Sequence, residues 1–557
     1  MANFLLPLLT TIASQVKNNF IQKTRQTDAV QEQFLRKLLF AYQNTELGRT
    51  YKIGEIKTID QFRNRIPVLP YSSYEPLCDR IAKGEQNILT SDPVVYFNLT
   101  SGSTSKQKLI PVTKRFQNSL LQPNLTSIGF LQEALKSQGR KFGKLLATNS
   151  VQLVGTTSGG IDYGTASVGV LRMGKFVYEQ LFAHPYETLQ PADSLARHYI
   201  CLLFALANPN LRGIGANFPM LILRICNYLE LYTEDLIKDL ETGKIASWLS
   251  LDSEVRALLE RQMVANPRRA AQLREIYNSH GILTPKLAWS NLSFVATARG
   301  GTSDFYFERF PTYFEDTPGF GAVYSSAEGT FSINHALNTD GSILAIESGF
   351  FEFIPQDQWE AKHPQTLLAT EVKPGELYRI LVTNYSGFYR YDIGDVVEVV
   401  GFYERSPLLV FRYRRGGLLS STTEKTTEFH VTQVMQALQQ KFSVLLEDFC
   451  ITLSDETLPP FYLVNIELAP GEILEDYSVF LAAFDLLLQE NNISYAIKRP
   501  DPIPSPRLRV LAPGSFAIVR QRQLLKGIPD SQLKFPHTSD DRNFLSGLEI
   551  KREIKLD

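Results

Sequence analysis

The chain has 557 residues, 44% of them hydrophobic and 21% charged, which is too long for one compact core and predicts a large domain plus a smaller one. Its formal net charge of -1 gives no electrostatic reason to expect nucleic acid or an anionic membrane as partner. Cys78, Cys201, Cys226 and Cys450 are widely separated and show neither CxxC nor Cys/His spacing, so buried reduced thiols in a cytoplasmic protein are expected, not disulfides or a zinc site.

In chain order, the apolar stretch Phe4 to Ala13 has no cationic region before it and is broken by Pro7 and Thr10-Thr11. It is far short of a membrane span and predicts the first turns of an amphipathic helix packed on the body. Val30 to Tyr42 has apolar residues at helical spacing. Closely spaced prolines hold Ile66 to Tyr71 extended, and a helix is predicted over Tyr74 to Ala82. A strand, Pro93 to Phe97, then delivers the chain into Thr100 to Ser105, where every residue is a glycine or carries a hydroxyl, followed by Lys106 and Lys108. Such a loop can turn N–H groups and hydroxyls onto phosphate oxygens, with a lysine as compensating charge. Composition alone allows equally a solvated turn between strands; the strand leading into it favours the phosphate reading.

From about 115 to 290, helices alternate with short apolar strands, an α/β pattern. Gly155 to Gly169 could form a second ligand loop but reads first as a flexible, turn-rich connection. Gly169 to Lys175 has Walker A spacing, but Phe176 stands where that motif needs Ser or Thr for magnesium, so it is rejected. Tyr199 to Ala207 is a core segment, and Arg212 to Ile245 reads as helices entered at Asn217 and Pro219. Val255 to Tyr277 is a charged amphipathic stretch. In Ala322 to Asn334, a strand end opens through small hydroxyl residues onto a lone acid, Glu328. A carboxylate beside a triphosphate loop suits Mg²⁺, which is held by one or two carboxylates together with substrate phosphates. In Gly387 to Val397, Asp392 and Asp395 bracket Gly394, so Asp395 is expected to emerge from a tight turn, where a carboxylate can accept both hydroxyls of a ribose or simply close a hairpin.

TSGSTSKQK, YSSAEG and YRYDIGD stand in the order found in the adenylate-forming superfamily of acyl-CoA synthetases, peptide adenylation domains and luciferases. With IPVLPYSSYEP, RIAKGE, EKTTE at Glu424 to Glu428, Asn492 to Arg499, and QLKFP at Gln532 to Pro536, nearly the whole chain resembles the auxin-responsive acyl-acid amido synthetases, the plant Gretchen Hagen proteins and their bacterial relatives. The resemblance implies a large N-terminal α/β domain of mixed sheets and helices over 1–420 and a small mobile α+β domain over 421–557. It implies ATP and Mg²⁺ as cofactors, and a small carboxylic acid and an amino acid as partners, in a cytoplasmic monomer or weak homodimer that inserts into no membrane. Thr100, Ser101, Gly102, Ser103 and Thr104 would grip the phosphates, with Lys108 in the basic place. Glu328 would hold magnesium, Tyr324, Ser325 and Ser326 would meet AMP, and Asp395 would bind the ribose. Lys425 matches a lysine near the active site at the domain junction. Lys534 matches a C-terminal lysine that approaches the nucleotide when the small domain closes.

Some residues depart from that pattern. The first loop has less glycine at Ser105-Lys106-Gln107 than plant members carry, Ala327 replaces the usual hydroxyl before the motif's Glu, and Thr423 sits near a frequent Gly. Arg412 to Gly417 is a candidate hinge, or a basic surface turn, and Phe461 to Leu468 with Val479 to Gln489 predicts a strand and a helix of the small domain. The expected reaction is adenylation of a carboxylic acid followed by transfer to an amine. The alternatives are transfer to a thiol such as coenzyme A, or a nucleotide-binding protein whose catalysis has lapsed.

Overall fold

The computed structural model describes residues 5–100, 108–166, 175–301, 303–415, 418–525, 530 and 533–556. It is a mixed α/β protein whose contacts divide it into two compact units. The larger comprises Met1–Arg299, Thr312–Ile393 and Val397–Val410; the smaller comprises Gly300–Pro311, Gly394–Val396 and Phe411–Asp557.

In the larger unit the chain begins with the helix Leu5–Thr24, as its amphipathic start predicts. The helix Lys114–Ser137 packs on it closely because Gly129 has no side chain: a Cβ there would lie 2.5 Å from the Ala13 carbonyl oxygen. The helix Thr27–Tyr42 buries Phe34, Leu35, Leu38, Leu39 and Tyr42, one face at helical spacing. Each such side chain contributes roughly 1.5–3 kcal/mol relative to exposure. The helix predicted from Tyr74 starts at Tyr71, immediately after Pro70.

Three sheets carry this unit. In the first, Val94–Leu99 pairs antiparallel with Leu109–Thr113 and parallel with Asp162–Thr165, which in turn pairs antiparallel with Gly155–Thr156. The glycine-rich stretch read as a flexible connection is therefore corrected over these residues: it is a hairpin bonded to the strand that enters the first loop. Residues 167–169 lie outside the described residues, as does all of Gly169 to Lys175 except Lys175, which forms an ion pair with Glu187. The second sheet is parallel, in the order Leu145–Ala147, Gly213–Gly215, Phe294–Ala296, Gly319–Phe320, with helices between, such as the buried Ser194–Leu206. One expectation changes here: Gly213–Gly215 is a strand ahead of the helix entered at Pro219. The amphipathic stretch is formed by two helices, Ser253–Gln262 and Pro267–His280.

The third sheet has seven strands in the order Phe350–Pro355, Leu377–Thr383, Tyr391–Tyr403, Ser406–Arg414, Ser342–Leu344, Gly329–Asn334, Val323–Ser326. Phe331, Ile333, Phe351, Phe353, Ile380 and Val397 join Phe97 and Ile110 of the first sheet in one apolar core. Asp395 does not emerge from a tight turn. It lies within Tyr391–Tyr403, where Gly394 takes a left-handed φ of +83° that an L side chain rarely adopts. Of the candidate hinge, Arg412 to Arg414 complete the strand Ser406–Arg414, and Gly416 and Gly417 lie outside the described residues.

The smaller unit is α+β. Its sheet runs Leu446–Leu453, Tyr462–Leu468, Arg507–Leu511, Ile550–Lys555, with antiparallel, parallel and antiparallel pairings. The helices Glu428–Phe442 and Tyr477–Asn491 belong to it. All four cysteines are buried and none forms a disulfide. Among the described residues no helix is long and apolar enough to cross a membrane.

Candidate functional site

In the larger unit the strand pair Val94–Leu99 and Leu109–Thr113 brings the two ends of the first loop together. The Thr100 N–H donates to the Lys108 carbonyl at 3.2 Å, and the Lys108 N–H donates to Thr100 Oγ1 at 3.3 Å. Ser101, Gly102, Ser103 and Thr104 lie outside the described residues. Tyr71 pins the loop's exit: its hydroxyl accepts the Leu109 N–H at 2.9 Å and donates to the Leu109 carbonyl at 3.0 Å. Burial pushes this phenol well above its ordinary range, so it stays protonated. Its ring lies under the Lys108 ammonium, 5.4 Å from centroid to Nζ.

The second motif is a hairpin, Val323–Ser326 against Gly329–Asn334, with Ala327 and Glu328 at its turn. Glu328 is 1% exposed. Its Oε2 accepts the Ser326 hydroxyl at 2.7 Å, and its Oε1 accepts the Tyr391 phenol at 3.2 Å. Two amides hold the turn itself: Asn98 donates to the Ala327 carbonyl at 2.9 Å, and Asn384 donates to the Glu328 carbonyl. Asn98 thus ties the end of the strand entering the first loop to the second motif. Lys108 Nζ lies 3.5 Å from the Tyr391 hydroxyl, so Lys108, Tyr391 and Glu328 form one line of contacts. Tyr324 stacks on Phe331 with ring centroids 5.0 Å apart, and Ser325 is exposed. Ser326 is committed to Glu328, so Ser325 is the hydroxyl of this pair facing solvent.

The smaller unit holds the remaining sequence candidates. Asp395 is buried, and its Oδ1 accepts Arg414 Nε at 2.6 Å. Asp392, of the larger unit, pairs instead with Arg379. Lys425 is exposed on a loop shaped by its neighbour Glu424, which is fully buried. Burial alone would raise the Glu424 pKa, but hydrogen bonds from Tyr462 at 2.7 Å and from the N–H groups of Ser421 and Thr422 outweigh it and hold the carboxyl below its ordinary value. Lys534 is exposed, 3.8 Å from Glu428 Oε2, with Nζ 5.4 Å from the Phe411 centroid. Glu428 also accepts the His537 N–H at 2.8 Å. His537 is buried, stacks on Phe449 at 4.1 Å and lies 3.1 Å from Asp448 Oδ1.

Sequence reasoning missed Tyr391, Asn98 and Asn384, and the Asp448–His537 pair. Tyr391 sits inside a motif that was recognised, so a search for a phenol four residues before the acid could have found it. The other residues carry no such signal.

Among the described residues no group of three or more His, Cys, Asp or Glu side chains could hold a metal ion. A divalent cation beside Glu328 would therefore share that hard oxygen ligand with phosphate oxygens, as Mg²⁺ does.

Residues 16–319 match the GH3 family N-terminal domain, 342–414 its central domain and 429–543 its C-terminal domain. The chain is 27% identical to jasmonoyl–L-amino acid synthetase JAR4 of Nicotiana attenuata, over 96% of this chain and 95% of that one. Among solved structures it superposes on the GH3.15 acyl acid amido synthetase with a TM-score of 0.85 at 22% identity, covering 97% of both chains. It also superposes on a 2-hydroxyisobutyryl-CoA ligase in the postadenylation state with a TM-score of 0.53 at 11% identity, covering 93% of this chain and 90% of that one. These likenesses show a shared fold. The three domain matches, in order along the chain, show that it belongs to the GH3 family.

Proposed function

We propose that the protein is an ATP-dependent acyl-acid amido synthetase that adenylates a carboxylic acid and transfers the acyl group to an amino acid. The single observation that carries this, on the family background, is the convergence of Lys108, Tyr391 and Glu328 at the mouth of the first loop.

A carboxylate is a poor acceptor for an amine because its leaving group would be oxide. In the first step a carboxylate oxygen attacks the α-phosphorus of ATP, the bond from that phosphorus to the bridging oxygen breaks, and pyrophosphate leaves. In the second step the amine nitrogen attacks the acyl carbon and loses a proton, and AMP leaves with the electrons of the acyl–oxygen bond. Thr100 to Thr104 and Lys108 would grip the phosphates and offset charge developing on them. Glu328 would hold Mg²⁺, which when bound supplies further charge neutralisation at the phosphates. Tyr324, Ser325 and Ser326 would meet AMP, with Ser325 making the contact that Ala327 cannot. Asp395 would accept the ribose hydroxyls. Lys425 and Lys534 belong to a C-terminal domain, taken from residue 421, that would change pose between the two steps. ATP and four cysteines outside any disulfide suit a cytoplasmic setting.

The test is pyrophosphate release from Mg-ATP against a panel of aryl and alkyl carboxylic acids, with amino acids or coenzyme A added in turn and products read by mass spectrometry. Release that depends on one acid, with an amide formed only when an amino acid is present, is the expected outcome. A thioester in place of the amide would move the reading to the thiol alternative, and ATP binding without release under any acid would favour the lapsed enzyme.

A further inference from the structure

The Tyr391 phenol has a use that neither the phosphate loop nor the acid motif requires by itself. It stands between a cation and an anion that do not touch: Lys108 Nζ lies 3.5 Å from its oxygen, and its proton is directed at Glu328 Oε1 over 3.2 Å. A direct Lys–Glu ion pair would cancel the two charges and spend the donors and lone pairs needed for phosphate and metal. A phenol between them keeps them in register without quenching either. The ammonium donating to the phenol oxygen also makes the phenol a stronger donor toward the carboxylate, since hydrogen bonds in a chain polarise one another.

The surroundings fix this phenol in place. Tyr391 is fully buried, with its ring 5.0 Å from Phe388 and 6.0 Å, edge to face, from Tyr74. The two groups it joins have second supports: the Tyr71 ring under Lys108 and the Ser326 hydroxyl on Glu328 Oε2. Glu328 keeps capacity for a ligand, because a carboxylate has about four acceptor sites.

We infer that Tyr391 is a positioning residue that couples the phosphate-binding lysine to the metal-binding carboxylate, so that Mg²⁺ and the ATP phosphates are recognised as one unit. The inference rests on the function proposed above. It concerns how tightly Mg-ATP is bound relative to free ATP, a quantity measurable without knowing the acyl acid.

The experiment is calorimetric titration of the full-length protein with ATP, in excess Mg²⁺ and in EDTA. Wild type is expected to prefer Mg-ATP, and Tyr391→Phe, which removes one oxygen and keeps the ring, is expected to lose about 10- to 100-fold of that preference, the range typical when a residue orienting a metal ligand is removed. Tyr74→Phe deletes a neighbouring buried phenol that bonds only to the Tyr389 backbone in the contacts described and should keep the preference. A double-mutant cycle supplies a readout that does not depend on Tyr391→Phe folding: Glu328→Gln should weaken Mg-ATP binding less in a Lys108→Ala background than in wild type. An unchanged Mg²⁺ preference in Tyr391→Phe, an equal loss in Tyr74→Phe, or additive Lys108 and Glu328 effects would each overturn the coupling. Wild type that binds no ATP in either buffer would overturn the proposed function itself, and the coupling with it.

Discussion

Glu328 and Glu352 are each 1% exposed, yet they are met by different chemistry. Glu352 accepts Arg390 through both carboxylate oxygens, at 3.0 and 3.1 Å, as well as Arg63 at 3.2 Å and Thr366 at 2.6 Å. Its charge is neutralised within the fold, so it is structural. Among the described residues Glu328 is met by hydroxyls, which orient a carboxylate without cancelling its charge and leave it suited to a cation. Histidine supplies the pH response at this scale. His184 is buried beside the strand Leu145–Ala147: its Nδ1 lies 2.7 Å from Thr188 Oγ1 and 3.3 Å from the Tyr178 hydroxyl. The Ala147 N–H points at Nε2 from 3.4 Å, where a second proton would face it. Burial lowers the His184 pKa to about 4. In the unfolded chain the value is about 6.5, so between these values the unfolded state binds more protons and stability rises with pH. We expect full stability above about pH 6.5 and a loss of roughly 3 kcal/mol as pH falls to 4. Urea unfolding across that range should show a slope that His184→Gln reduces. His430, lowered to about 4 by burial, and His335, also lowered by burial, have the same sign and leave a residual slope. A slope unchanged by the substitution would refute the assignment.

At the scale of elements, the turn after Leu377–Thr383 decides where the strand bearing Tyr391 and Asp395 begins. Gly387 sits in it with a φ of +88°, and a Cβ there would lie 2.5 Å from the Leu89 carbonyl oxygen. The obstacle is backbone, which cannot swing away as a side chain could. Gly387→Ala should destabilise the protein by about 3 kcal/mol, combining the left-handed penalty with overpacking. Because the turn leads into Tyr391, it should also weaken Mg-ATP binding; urea unfolding and titration together check this, and a variant as stable as wild type would count against it. This turn also shows what the sequence could convey. Helices such as Thr27–Tyr42 and strands such as Val94–Leu99 and Tyr462–Leu468 were legible because their own residues carry the period or the apolar run. Gly155–Thr156 and Gly213–Gly215 were not, since strands of two or three residues rich in glycine exist only by virtue of their partners. Asp395 was placed on a turn because Gly394 reads as punctuation; the same left-handed glycine occurs within a strand. The motif acids were found as residue types, whereas the Tyr391 link joins positions 108, 328 and 391, which only tertiary structure brings together.

At the scale of the whole molecule, the smaller unit is assembled from three separate stretches of chain, and the shortest helix-bearing one contributes to its core. Phe305 is 1% exposed, with its ring 5.0 Å from Phe449 and 5.3 Å from His537. The Tyr306 phenol donates to Asp448 at 3.1 Å, and Arg309 pairs with Glu447 at 2.8 Å. Burial and the adjacent acids push the Tyr306 pKa well above its ordinary value, so it stays a donor to Asp448. A fragment of residues 411–557 would lose all of these contacts at once. Removing one buried aromatic side chain costs about 3–5 kcal/mol, and a domain's entire stability is about 5–15 kcal/mol; two aromatics, one of them the hydrogen-bond partner of a buried carboxylate, are therefore a large share of the whole. The fragment should retain helical and strand signals in far-ultraviolet circular dichroism, lose near-ultraviolet signal and bind a hydrophobic dye, as expanded states without fixed packing do. The same fragment carrying residues 300–311 on a flexible linker should regain near-ultraviolet signal and a cooperative urea transition. If the fragment alone unfolds cooperatively at the same urea concentration as the tethered form, then Phe305 and Tyr306 are surface decoration on a domain that stands without them. If only the tethered form does, the two residues are part of the core through which Asp448 and His537 fix the segment carrying Lys534.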